Sequence, residues 1–193
     1  MKKELDTTHR RRIEKILKRL LIEIGENPDR EGLILTPTRM VEMYEVLFSG
    51  YRMNAQLDVS FSDTTDAIIA KDIEFYSMCE HHMLPFFGKI RIAYIPDGKV
   101  FGISKLARLV EKYSRRMQIQ ERLTEEVASE IIRSGARGVL VIVEAEHLCM
   151  KMRGVRNGSL IVTSAHRGIM QQKELREHVV ALIYNSRPEL RSI

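Results

Sequence analysis

Two short clusters, far apart in the chain, limit what it can fold into, because their chemistry asks them to meet. The two cysteines each stand beside histidine, in Cys79-Glu80-His81-His82 and in His147-Leu148-Cys149. Met1 to Arg12 is polar and basic with no apolar h-region, so the expected compartment is the cytoplasm, where thiols stay reduced. Cysteine with close histidine then reads as a metal or catalytic set rather than a disulfide framework. Cys79 and His82 are three apart, the spacing of a knuckle in which one tight turn brings both side chains to one ion, with His81 pointing elsewhere.

The rest of the chain has to supply a scaffold for that meeting. Of its 193 residues 44% are hydrophobic and 30% charged, which fits a folded domain and argues against disorder. No run of eighteen apolar residues exists, so no membrane helix and no membrane partner are expected. Ile13, Ile16, Leu17, Leu20, Leu21 and Ile24 recur at helical spacing before Gly25. Thr36-Pro37 then reads as a cap with proline at the first helical position. It opens a second helix that carries Met40, Met43, Tyr44, Leu47 and Phe48. Together they form a helix hairpin, with Tyr51 to Thr65 as a connecting loop. This divides the chain into residues 1–65 and a second unit, 66–193.

The second unit alternates differently. Ala67 to Tyr76 and Lys89 to Ile95 read as strands, the latter followed by the turn Pro96-Asp97-Gly98. Ser104 is placed to cap a helix with Leu106, Leu109, Val110 and Tyr113, and Leu123, Val127, Ile131 and Ile132 mark another. Val139 to Arg153 reads as one long strand, Asn157-Gly158 as a hairpin turn into Leu160 to Ala165, and Leu175, Val179, Leu182 and Ile183 as a last helix. The order implies an α+β fold, an antiparallel sheet with helices on one face.

On a long strand His147, Cys149, Lys151 and Arg153 would share one side. With Cys149 as third ligand beside Cys79 and His82, three N and S donors leave one position open, the arrangement of a catalytic zinc site. His81 and His147 are then candidate acid–base groups. Two other readings stand beside this one: buried cysteines acting as small apolar residues, and a closed site of two cysteines and two histidines. Gly102-Ile103-Ser104-Lys105-Leu106-Ala107-Arg108 is a helix start with two cations three apart. It suits a phosphate chain or, equally, an exposed basic helix end. The net charge of +5 fits an anionic small ligand as well as nucleic acid. Glu121, in Gln118-Ile119-Gln120-Glu121-Arg122-Leu123, reads as a ligand acceptor or a capping carboxylate.

From Ile13 to the last helix the chain resembles GTP cyclohydrolase I of the zinc-dependent type. The resemblance is carried by Gly25-Glu26-Asn27-Pro28-Asp29-Arg30-Glu31-Gly32-Leu33, Phe75-Tyr76-Ser77-Met78-Cys79-Glu80-His81-His82, the Gly102 to Arg108 segment, Gln118 to Thr124, Glu146-His147-Leu148-Cys149-Met150, and Arg153-Gly154-Val155-Arg156. It implies a tunnelling fold, with a four-stranded antiparallel sheet, assembled as a homodecamer with active sites between subunits. It implies conversion of GTP and water to 7,8-dihydroneopterin triphosphate and formate, with no nucleic-acid partner. By matching positions it implies Zn2+ on Cys79, His82 and Cys149, and acid–base roles for His81 and His147, with Ser104 a further proton carrier. Glu121 would meet guanine, Gln120 would bind substrate, and Ser104, Lys105, Arg108 and Arg153 would meet the triphosphate and ribose, with Lys151 added by charge. Two rival classes remain: another enzyme on the same fold without this ligand set, such as a nitrile oxidoreductase or a pteridine aldolase, and a closed zinc module that binds nucleic acid.

Overall fold

Apolar spacing and capping decide the first two elements of the computed structural model, which describes residues 6–57, 60–62 and 65–185. Helix α1, Thr7–Glu23, begins where the His9 amide donates to Asp6 Oδ1 at 2.9 Å and ends just before Gly25, whose φ of 92° suits glycine. Helix α2, Thr36–Leu47, has Pro37 in its first turn, where no amide is missed. Thr36 is its first helical residue, not its cap. The two helices pack together, tied by the Arg10–Glu45 ion pair. Leu17 and Val41 are buried, while Ile16, Leu20, Ile24, Met43 and Val46 stay exposed.

The segment expected to be a loop holds a short strand, β1 (Ser60–Ser62). Next come β2 (Ile68–Cys79), β3 (Pro85–Ile95) and β4 (Lys99–Phe101), and β4 pairs with β1 in a separate two-stranded sheet. After these follow α3 (Ile103–Ser114), β5 (Met117–Gln118), α4 (Gln120–Arg133), β6 (Gly138–His147), α5 (Leu148–Lys151), β7 (Ile161–Gly168) and α6 (Lys173–Asn185). The main sheet runs β5-β2-β3-β6-β7. Its four long strands are antiparallel, as expected, and the two-residue β5 adds a parallel edge on Met78 and Cys79.

The sheet is covered on both faces, not one. Alternation along β6 sends Val139, Val141, Val143 and Ala145 into the core with α3 and α4, against Leu106, Leu109, Leu123, Val127 and Ile131. Leu140 and Ile142 point the other way and pack with Val179 and Ile183 of α6. The reason lies in the sequence itself: Val139 to Val143 is apolar at every position, so each face of β6 needs a cover.

Gly88, in the middle of β3, lets the backbones of β3 and β6 come close. A Cβ there would stand 1.9 Å from Glu144 O and 2.8 Å from Ala145 Cα. Both are backbone atoms, so neither can rotate aside, and the two strands would be forced away from each other just ahead of His147. Gly88→Ala is expected to cost about 3 kcal/mol, which lowers the thermal midpoint by roughly 6–12 °C for a chain of this size. Thermal unfolding followed by circular dichroism checks this, and an unmoved midpoint contradicts it.

Candidate metal centre

The first half of the centre is a reversal between two paired strands. Cys79 ends β2, its amide donates to Leu84 O at 2.9 Å, and the Met83 amide donates back to Cys79 O at 2.9 Å. Met83 takes a positive φ of 53°, which closes the turn. The Glu80 amide donates to Gln118 O on β5 at 3.0 Å, and the Glu80 carboxylate takes two bonds from the Arg122 guanidinium, at 2.6 and 3.0 Å. The Arg122 bond holds the Glu80 carboxyl below the usual carboxylate range. The turn is thus clamped to the first turn of α4.

The second half departs from the expected long strand. β6 stops at His147, and Cys149 lies on the four-residue helix α5, so His147, Cys149, Lys151 and Arg153 do not share a strand face. Partner strands explain the break. His147 pairs with Phe86 at the start of β3, and β7 begins only opposite Ala145. Past His147 the backbone has no paired strand on either side, so the chain bonds to itself, with the Met152 amide donating to Leu148 O at 3.0 Å. The helical turn brings Cys149 back over the end of β2. Residues 148–160 then connect β6 to β7, and Asn157 Oδ1 accepts from the Ser159 amide at 2.8 Å in that longer connection, where a two-residue hairpin was expected.

The two halves meet. One donor atom from each of Cys79, His82 and Cys149 lies within 4.8 Å of the others, and Cys79 Sγ is 3.8 Å from His82 Nδ1. In a tetrahedral zinc site, S and N ligands at ordinary bond lengths lie about 3.6 Å apart. The donor set and its spacing therefore fit a zinc ion with small adjustments. Burial, with the Cys79 sulfur beside it, pushes the Cys149 thiol up from its ordinary pKa. A bound cation reverses that balance, because it favours thiolate.

His81 does not turn wholly away. Its Nδ1 is 3.9 Å from Cys79 Sγ, nearly as close as that of His82, although it lies outside the three-donor group. His147 is held on two sides: its ring stacks on Phe86, with centroids 4.7 Å apart and planes at 4°, and its Nε2 is 2.7 Å from Gln120 Oε1. Burial lowers its pKa from the ordinary histidine value, with Glu121 opposing the shift.

The expected substrate contacts divide. Gln120 is 1% exposed and gives its amide to backbone carbonyls, so the side chain is committed inside the chain. Glu121, next to it, is exposed in the first turn of α4. Ser104 and Arg108 are exposed on the first two turns of α3, with Lys105 half-buried between them. Gly102, not Ser104, caps that helix. Lys151 is paired with Glu146 at 2.6 Å, and Arg153 is exposed just beyond α5. Sequence reasoning missed the Glu80–Arg122 clamp and the link from Gln120 to His147. The residue types were in view, but nothing in their spacing showed that the start of α4 abuts both the turn and the end of β6.

The family model and the curated relatives agree with one another. The family model described as GTP cyclohydrolase I matches residues 13–184. GTP cyclohydrolase 1 of Clostridium perfringens strain 13 is 50% identical over 178 residues, which covers 89% of this chain and 96% of that protein. The enzyme of that name from Hyperthermus butylicus is 49% identical over 174 residues, covering 89% and 90%. The one from Campylobacter jejuni subsp. doylei is 48% identical over 188 residues, covering 94% and 98%.

Proposed function

The chain belongs to the GTP cyclohydrolase I family, and we propose that it carries out the family reaction at a zinc centre held by Cys79, His82 and Cys149. That reaction opens the imidazole ring of GTP with water, releases C8 as formate and rebuilds the remainder as 7,8-dihydroneopterin triphosphate. The observation that carries the zinc assignment is the convergence of three N and S donors from two distant segments. Bound zinc supplies Lewis-acid activation of water near neutral pH.

The chain's own groups supply the rest. Breaking a bond to C8 leaves charge on a ring nitrogen, which needs a proton; in this reading His147, whose ring stacks on Phe86, delivers it. His81, exposed beside the donor group, exchanges protons in the later steps, when the ribose opens, rearranges and closes on the pyrimidine amine. Ser104 serves the same later steps. The Glu121 carboxylate accepts from the guanine ring N–H and the exocyclic amine. Lys105, Arg108 and Arg153 draw in the triphosphate, and the Lys151 cation adds less, because Glu146 already matches it.

The active assembly is a homodecamer with sites between subunits. Its support is the apolar surface the single chain leaves open: Ile16, Ile24, Ile34, Ile103 and Val155 are each at least 60% exposed. Metal-replete protein given GTP is expected to yield pterin fluorescence and formate in equal amounts, from particles that light scattering sizes at ten chains. Release of phosphate without formate overturns the reaction, and full activity from a stable monomer overturns the assembly.

A further inference from the structure

We propose that Gln120 is a positioning residue that holds His147 as the Nε2–H tautomer, so that Nδ1 is the ring nitrogen that exchanges protons with substrate. This rests on the reading of His147 as an acid–base group. It replaces the expected contact between the Gln120 side chain and substrate.

Gln120 Nε2 is 3.1 Å from Val143 O on β6 and 3.0 Å from Ile161 O on β7. Carbonyl oxygens only accept, so the NH2 end of the amide must face them, and its two hydrogens are spent there. Oε1 is therefore the atom that faces His147 Nε2, at 2.7 Å. Two lone pairs at that distance would repel, so Nε2 carries the hydrogen and donates it. In the neutral ring the lone pair then sits on Nδ1.

The frame around the amide is rigid. Gln120 opens α4, and the Thr124 hydroxyl donates to Gln120 O at 2.7 Å. With that hydrogen spent, the Thr163 hydroxyl on β7 donates to Thr124 Oγ1 at 2.6 Å. The start of α4 is thus tied to β7, while the side chain of its first residue bridges β6 and β7. Phe86 fixes the imidazole plane, and Gln120 fixes its rotation and its tautomer. An imidazole with neither constraint would present the wrong nitrogen some of the time.

Two variants and one measurement test this on the zinc-loaded assembly. Gln120→Met and Gln120→Glu both lose the donors to Val143 and Ile161, but only Gln120→Met loses the acceptor for Nε2–H. Gln120→Met is expected to lower kcat by about 10–100-fold, the order found for hydrogen bonds that orient the side chains of a metal site. KM for GTP and zinc content should stay close to the parent. 15N NMR of labelled histidine, with His147 identified by its loss in His147→Asn, should show Nε2–H in the parent and in Gln120→Glu, and mixed tautomers in Gln120→Met. Gln120→Glu should keep a kcat several-fold above Gln120→Met. A parent-like kcat in Gln120→Met overturns the proposal, as does a fall in kcat that tracks loss of zinc. If Gln120→Met does not fold, Gln120→Glu decides alone: retained Nε2–H supports the role, and mixed tautomers overturn it. A fully active His147→Ala would instead remove the reading beneath the proposal, which the same assay shows separately.

Discussion

Cys149→Ser is expected to empty the centre and lower GTP turnover by roughly 1,000-fold, because activation of water by a bound Lewis acid is worth several kcal/mol. Serine keeps the size of cysteine but offers a hard, weakly acidic oxygen in place of a polarizable thiolate. His82→Ala removes a donor 3.8 Å from Cys79 Sγ and should act alike. Both positions lie outside the buried core, His82 exposed and Cys149 half-buried, so the variants should fold and assemble as the parent does. Cys79→Ser is a harsher change, since Cys79 is buried at the end of β2 and packs with Phe75 and Phe86. Zinc measured by emission spectroscopy, beside turnover in the same preparation, reads the effect. A chelator should reproduce the loss in the parent, and added zinc should restore it there but not in Cys149→Ser. Undiminished zinc in all three variants would sink the ligand set.

Most of the scaffold behind this centre was legible because it rests on local rules. The stripe from Ile13 to Ile24 and the glycine after it mark the body and the end of α1, while its start at Thr7 behind the Asp6 cap was not read. β2 and β3 appeared within a few residues of their limits, since β-branched and aromatic residues fill them. What failed depends on partners. The β6 strand ends at His147 because β3 begins at Pro85 and β7 begins at Ile161, and no property of residues 148–153 states where those strands start. β1 escaped notice because three residues, Ser60 to Ser62, are too few to show alternation. The second covered face could have been read, since five apolar residues in a row at Val139 to Val143 cannot belong to a strand with one face in water.

The site divides along the same line. Cys79 and His82 sit within one turn, so their spacing alone placed them together, and Cys149 joined them through the histidine beside it in sequence. The wrong local picture, a strand face where the chain forms a helical turn, touched the setting of His147, Lys151 and Arg153 beside Cys149 and not the grouping of the three donors. Gln120 was visible only as a member of a motif. Its function depends on three partners, the acceptors Val143 O and Ile161 O and the donor Nε2 of His147, which only the packing of α4 against β6 and β7 supplies.

That geometry sharpens the second large expectation, which separates acid–base histidines from ligands. His147→Ala should keep near-full zinc and lose pterin formation by roughly 10²–10⁴-fold, the range for a lost general acid or base. The three-donor group does not include His147, although Nδ1 keeps its lone pair when Nε2–H donates to Gln120. The nearer candidate for the rival closed site of two cysteines and two histidines is His81, whose Nδ1 is 3.9 Å from Cys79 Sγ against 3.8 Å for that of His82. If His81 were a fourth ligand, His81→Ala would lose zinc and turnover together, and the bound ion in the parent would have no open position. If it is an acid–base group, His81→Ala keeps its zinc and loses turnover alone. Hydrolysis at the metal needs a place for water, so zinc content and turnover measured on one preparation of each variant decide between a closed and an open centre. Falling zinc in folded His81→Ala, with His147→Ala unaffected, would close the site and leave the hydrolytic reaction without its nucleophile.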